Sequence, residues 1–344
     1  MVKNSYMKIN NKKTFIIAEA GVNHNGSFKL AKKLILEASK IGVDAIKFQT
    51  FAAENLTSRN APKANYQKKN TTSKETQFEM LKKLEFTNQM HYDCINLCKK
   101  NKIVFISSAF DLVSLKFLNI LKLSIFKIPS GEITNYPYLE YLGKLNKKII
   151  LSTGMSSISE IRSAVNLLVK NGTPKRKITI LHCNTQYPTP FRDANIKAML
   201  DIKNKLKTEV GYSDHTVSIE ASLAAVALGA KIIEKHFTIS RNLSGPDHKS
   251  SLEPNEFREL VKKIRNIEIA LGDGKKKISP SEKHNLKIVR KSIFTSKDIL
   301  AGEKFSYLNL TTKRPAIGIC PMKIKNIIGK KAKKFYSKDT MLKI

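Results

Sequence analysis

Two histidines, His215 and His236, sit near the ends of two short runs, residues 209–216 (EVGYSDHT) and 231–238 (KIIEKHFT). Imidazole suits Mn, Fe, Co or Zn, with carboxylates or waters filling the remaining positions. Neighbouring strands lie about 4.8 Å apart. Two such residues on adjacent strands could therefore converge on one divalent ion, beside Asp214, Glu234 and Asp247. The plainer alternative is two unrelated loop histidines. Lys47, Lys127 and Lys235 lie inside or at the end of similar apolar runs. A buried ammonium without an anion is costly, so Lys47 and Lys127 point to an anionic ligand. For Lys235 an outward ion pair fits equally well. Ser108, Ser130, Ser152 and Ser213 also fall at run ends. Such a ring of hydroxyls and ammonium groups is a cradle for phosphate and carboxylate. Glu132 follows Ser130-Gly131 and suits either a cap on the next helix or orienting or deprotonating a water. Glu19 has two readings, a core hydrogen bond or a substrate hydroxyl contact. Gln49, Tyr187 and Asp247 suit polyol recognition, although Tyr187-Pro188-Thr189-Pro190 also reads as a rigid loop.

These residues need a frame that brings them together. Eight short runs, at 14–21, 45–51, 103–110, 125–131, 148–155, 178–185, 209–216 and 231–238, each end in polar residues and each precede a helical pattern. Near-continuous apolar strands alternating with helices predict a parallel sheet covered on both faces. Eight units in about 260 residues predict a closed (β/α)8 TIM barrel, with its chemistry at the C-terminal strand ends. The first helix is expected at 28–41, where Leu30, Ala31, Leu34, Ile35 and Ala38 share one face and Gly42 comes next. Further helices are expected at 75–100, 112–121, 136–145, 158–171, 194–204, 218–228 and 254–271. The long polar stretch 52–73 reads as a lid or substrate wall. Residues 1–273 are expected to form the barrel, 274–286 a Gly-, Lys- and Ser-rich linker, and 287–344 a second unit with short strands and a small helix near 323–328. About 60 residues fold alone only marginally, so docking onto a barrel or a partner would help that unit.

Composition narrows the alternatives. The formal charge is +34, yet 53 of the 62 basic residues are Lys, they are scattered, and there is no Trp. Base and phosphate readers favour Arg at forked contacts, so nucleic-acid binding is not expected. The charge reads as a solvated surface that also gathers anionic substrates. No run reaches the roughly 18 apolar residues of a membrane span, and the basic start MVKNSYMKINNKK is followed by a strand rather than a signal-peptide core. A cytoplasmic location is expected. Of the four cysteines, Cys94 and Cys98 sit four apart without a second pair to complete a zinc site, so buried thiols are expected.

The motifs then become recognisable. AEAGVNHNGS (18–27), KFQTF (47–51), KIPSGE (127–132), ILSTGM (150–155), LHCNTQYPTP (181–190), GYSDHT (211–216), EKHFT (234–238), SGPDH (244–248) and TTKRP (311–315) resemble the sialic acid synthase family, in the family's order and over almost the whole chain. The tail resembles the antifreeze-like (SAF, β-clip) domain that ends these synthases. The resemblance implies that His215 and His236 bind one divalent cation, Mn2+ in the first place with Mg2+ or Co2+ as alternatives. It implies that Glu132 lies near the attacking water. Lys47, Ser108, Lys127, Ser130, Ser152 and Ser213 would cradle phosphoenolpyruvate, together with Asn184 or Thr185. Glu19, Gln49, Tyr187 and Asp247 would contact an amino sugar, and Arg314 would reach in from the tail of a partner in a domain-swapped homodimer.

The implied reaction joins phosphoenolpyruvate to N-acetylmannosamine, giving N-acetylneuraminate and phosphate through C–O cleavage. The metal would polarise the open-chain aldehyde, and the lysines would hold phosphoenolpyruvate against it. The alternative product is N,N'-diacetyllegionaminate, from a 2,4-diacetamido-trideoxy-mannose. A reading of another class is a catalytically idle barrel serving as scaffold or binding protein. The intact set of candidate residues speaks against it.

Overall fold

The computed structural model describes residues 13–71 and 75–343. The basic stretch 1–12 and residues 72–74 of the long loop lie outside the described residues. The chain divides into two compact units, 1–272 and 273–344.

The first unit closes eight parallel strands into one barrel. They are β1 (Phe15–Gly21), β2 (Ala45–Thr50), β3 (Val104–Ala109), β4 (Ile125–Ile128), β5 (Lys148–Ser152), β6 (Ile178–Cys183), β7 (Glu209–Asp214) and β8 (Ile232–His236). The closing pair is β1 with β8, in register Ile17↔Glu234 and Glu19↔His236. Side chains alternate along each strand, and this splits the apolar residues into two cores. Ile16, Ile46, Phe126, Ile149, Ile180 and Ile233 face outward and pack with helix residues such as Leu34, Leu118, Leu142 and Leu168. Ile17, Ala45, Ile106, Ile125, Ile150, Leu181 and Ile232 face inward and fill the lower barrel as a separate cluster. Each buried Ile or Leu contributes about 1.5–3 kcal/mol.

The helices start and stop where local chemistry directs. In α1 (Phe28–Ile41) the Ser27 hydroxyl accepts from Leu30 N, and Gly42 ends the helix at φ 85°. The long loop after β2 carries two short helices, α2 (Ala53–Leu56) and α3 (Asn65–Asn70). The helix expected over 75–100 is two, α4 (Gln77–Lys83) and α5 (Asn88–Lys100). The break has a cause in the sequence, because Thr87 caps the second helix by accepting from Met90 N. The helix expected over 194–204 is likewise divided into Phe191–Ala194 and Ala198–Leu206, with Asn195 left-handed at φ 39° between them.

The second unit pairs β9 (Ser292–Thr295) antiparallel with β10 (Leu310–Lys313). Ile293, Ile299, Phe305, Leu310, Ala332 and Leu342 form its own core, and the small helix is a 3-10 turn at Pro321–Asn326. Among the described residues no helix is long and apolar enough to cross a membrane. Cys94, Cys98 and Cys183 are buried as expected, whereas Cys320 is exposed.

Candidate active site

One inward position above the apolar layer, the barrel changes character. Ile17 is followed by Glu19, Ala45 by Lys47, Ile106 by Ser108, Ile125 by Lys127, Ile150 by Ser152, Leu181 by Cys183 and Ile232 by Glu234. Ser213 completes this layer from β7, paired with Glu234 in the β7–β8 register. The layer floors a cavity of about 330 Å3. Lys47 Nζ lies 2.7 Å from Glu19 Oε2 and 3.8 Å from Glu234 Oε1, and it donates to Ser108 Oγ at 3.1 Å. Lys127 Nζ lies 3.3 Å from Glu234 Oε1, which also accepts from Ser213 Oγ at 3.2 Å. Glu234 is thus the hub that joins the two lysines.

Burial sets the protonation states. It pushes Glu19 up to about 7 against the pull of Lys47. Glu234 is also penalised by burial, but Lys127 and Lys47 outweigh that and hold it below the usual carboxylate range. Burial alone would lower Lys47, yet Glu19 and Glu234 hold it above its ordinary value. Lys127 is lowered, burial being the largest cause. The layer thus sets two lysines beside one carboxylate held below its usual range and one raised to about 7. The Ser152 hydroxyl in it is buried with no hydrogen-bond partner among the described residues. A buried polar group in that state awaits a ligand, and an anion with several oxygens matches it.

His215 and His236 stand one inward position higher, with ring centroids 5.4 Å apart. His215 Nδ1 bonds the Asn184 carbonyl. That contact makes Nδ1 the donor and leaves Nε2 as the acceptor, 3.4 Å from Ser213 Oγ. His236 Nδ1 is buried without a partner. Burial pushes His215 down to about 4. It lowers His236 as well, helped by His215 and Lys47. Two neutral imidazoles that line the cavity fit a transition-metal ion. No group of three His, Cys, Asp or Glu converges among the described residues, so the protein offers two ligands, and water or substrate oxygens would supply the others. Asp214 is not among them. It faces outward, 3.0 Å from Lys235 Nζ, and accepts from Thr216 and Ser222. Lys235 therefore takes the outward ion pair and has no place in the cavity.

The remaining candidates divide. Gln49, Ser130, Thr185, Tyr187 and Asp247 line the cavity. Tyr187 lies over His215 at 4.2 Å between centroids, and burial pushes Asp247 up to about 6. Gly21, at φ +52°, keeps a gap among three of these side chains. A Cβ there would lie 3.2 Å from Glu19 Oε1, 3.3 Å from Gln49 Nε2 and 3.5 Å from Asp247 Oδ2. Gly154 donates its N–H to Ser130 Oγ at 3.0 Å, and a Cβ there would fall 2.5 Å from Thr185. Asn184 does not line the cavity. Its amide folds its own loop, bonding Asp193 O and Gln186 N, so of that pair it is Thr185 that reaches the cavity. Glu132 does not line it either. The 3-10 turn Ser130–Glu132 carries it aside, where it accepts from Asn135 Nδ2 at 2.6 Å and burial raises its carboxyl. The helix cap there is Asn135, not Glu132. Arg314 belongs to the second unit and is an exposed side chain just after β10. Tyr66 and Gln67 of α3 and Gln77 of α4, which were not among the candidate site residues, also line the cavity. The Tyr66 ring lies tilted against Tyr187, 5.0 Å between centroids.

The family model described as the NeuB family matches residues 34–276, and the SAF domain matches 290–344. The chain is 56% identical to the N,N'-diacetyllegionaminic acid synthase of Campylobacter jejuni, over 96% of this chain and 99% of that protein. It is 43% identical to the N,N'-diacetyllegionaminic acid synthase of Legionella pneumophila, over 95% and 93%. Among solved structures, an N-acetylneuraminic acid synthetase of Leptospira borgpetersenii in complex with citrate superposes with a TM-score of 0.70 at 36% identity, covering 80% of this chain and 91% of that one.

Proposed function

This chain belongs to the NeuB family and ends in a SAF domain, and from that premise we propose that it condenses phosphoenolpyruvate with a 2,4-diacetamido-2,4,6-trideoxy-mannose to give N,N'-diacetyllegionaminate and phosphate. The 56% identity to a synthase of that name, over nearly the full length of both chains, favours this product over N-acetylneuraminate. N-acetylmannosamine is the substrate that the motifs suggested first. The relatives at 56% and 43% identity support the alternative better.

The observation that carries the chemistry is the layer joining Lys47 and Lys127 through Glu234. Phosphoenolpyruvate has two anionic ends, and two fixed ammonium groups with Ser108, Ser152 and Ser213 around them can hold both. Charge-assisted bonds of this type also set orientation. Ser130, held by Gly154 N, and Thr185 extend the cradle. Gln49, Tyr187 and Asp247 border the space above it and would bind the sugar with Glu19. With a pKa near 7, Glu19 can donate or accept a proton at a substrate hydroxyl. His215 and His236 would hold a divalent cation, Mn2+ in this reading. Such an ion, when bound, supplies Lewis-acid polarisation of an aldehyde oxygen. Glu132, turned aside to Asn135, has no place at the water in this reading.

Arg314 would donate to an acetamido carbonyl from a partner's tail, in a two-fold swapped dimer. The test of the function is direct. Purified protein with Mn2+ and phosphoenolpyruvate is given each sugar in turn, and product mass and released phosphate are measured. The diacetamido sugar should give both. Phosphate release with N-acetylmannosamine alone would refute the substrate.

A further inference from the structure

The cavity has two unlike sides. Its floor is ionic and comes from the strand ends. A wall comes from the insert after β2, where Phe51, Met80, Leu81 and Leu84 are buried in one apolar cluster with Leu56 packed against them, all lining the cavity. Sugar hydroxyls desolvated against such a wall lose hydrogen bonds to water without replacement. Set beside it is a chain of amides. Thr57 Oγ1 donates to Gln77 Oε1 at 3.1 Å, and Gln77 Nε2 donates to Gln67 Oε1 at 3.4 Å. Gln67 Nε2 in turn donates to Tyr66 Oη at 3.4 Å.

A glutamine amide has two N–H donors and two acceptor sites. Gln67 Oε1 is fully used, since it also accepts from Ala64 N at 3.0 Å. Gln77 is half used, and it keeps one N–H and one lone pair. An acetamido group presents the complement, a carbonyl and an N–H, with a methyl that needs an apolar surface. We propose that Gln77, held by Gln67 and Thr57 and flanked by Leu56 and Met80, is a specificity-determining residue that reads the second acetamido group of the sugar, while the apolar wall receives its deoxy carbon. The reacting end of the sugar must sit over the lysine layer and the histidine pair, so the far carbons are the ones left to meet this insert. N-acetylmannosamine carries hydroxyls at those far positions, which can bond the amide but bring no methyl to the wall and lose water against it.

The proposal rests on the diacetamido reading of the substrate, and its test separates the two. Steady-state kcat/KM is measured with the diacetamido sugar and with N-acetylmannosamine, for wild type, Gln77→Leu and Leu56→Ser. Wild type prefers the diacetamido sugar. In Gln77→Leu that preference collapses by about ten- to a hundredfold, mostly through KM, because a site built to bond an amide loses discrimination when its partner is removed. Leu56→Ser shifts the ratio the same way without removing a hydrogen bond of the fold. A wild type that uses neither sugar, or prefers N-acetylmannosamine, overturns the substrate reading and this proposal with it. A wild-type preference that persists in both variants, with both sugars slowed in equal proportion, overturns this proposal alone.

Discussion

The lower and upper halves of the barrel interior are built on the same strands, two residues apart, and do opposite work. Ile150 and Ser152 share one face of β5, as do Ile125 and Lys127 on β4 and Ile232 and Glu234 on β8. Below, apolar side chains close the barrel, and each is worth its burial. Above, four ionisable groups sit with side chains no more than 5% exposed, where desolvation works against them. The fold is therefore stabilised in one layer and strained electrostatically in the next. A single step of strand alternation separates a residue that holds the molecule together from one that lines the cavity.

Variants in the two layers should fail in different ways. His236→Ala should lower turnover most, on the order of 10^3-fold, the scale of several kcal/mol of lost Lewis-acid stabilisation. Its unfolding curve should stay near that of wild type, because the imidazole makes no core contact that closes the barrel. Undiminished turnover in this variant, or in protein stripped by EDTA, would remove the metal from the account. Ile150→Ala belongs to the lower layer. It should destabilise by about 2–5 kcal/mol, read in urea unfolding, while the molecules that remain folded keep their KM for both substrates. A KM change there without a stability change would erase the distinction between the layers.

The two layers were not equally legible in the sequence. Near-continuous apolar runs exposed all eight strands, and the polar residues near their ends exposed Glu19, Lys47, Ser108, Lys127 and Ser152, while the period-two parity that stacks them in one inward layer came with the strand registers. The same parity places Glu234 with Ile232 and His236, yet it reads as a neighbour of the metal until the lysine distances are known. Residues beyond a strand end are harder to read. Glu132 and Asn184 carry suitable groups, but a 3-10 turn and a loop that bonds to itself take them off the cavity. Gln67 and Gln77 come from an insert whose period is broken by short helices, and their meeting is set by tertiary contacts.

A smaller effect would sharpen the comparison from the sugar side. Burial lifts Asp247 from 3.8 to about 6, so the native state binds a proton more tightly than the unfolded chain. Stability from this group is present below about pH 4 and is lost as pH rises through about 6. Asp247→Asn should remove that dependence and make the substrate-free protein more stable at pH 8 by up to about 3 kcal/mol, with little gain at pH 4, while sugar KM rises. Thermal unfolding at both pH values reads this, and equal melting at pH 8 would show the carboxylate is not strained.

For Arg314 the expectation is smaller still in stability and lies wholly in assembly. Mixing His236→Ala chains with Arg314→Ala chains under verified subunit exchange should restore activity, towards one working site per heterodimer. Absence of recovery would place Arg314 in cis or outside the reaction.

The claim on which the rest depends is that the upper inward layer binds phosphoenolpyruvate. Calorimetric titration of phosphoenolpyruvate into wild type and Lys127→Met, with thermal unfolding of both in parallel, tests it without any sugar. The account predicts one site per wild-type chain and binding weakened by about ten- to a hundredfold in the variant, the loss of one charge-assisted contact worth about 1.5–3 kcal/mol. Equal affinity in the two proteins would contradict it.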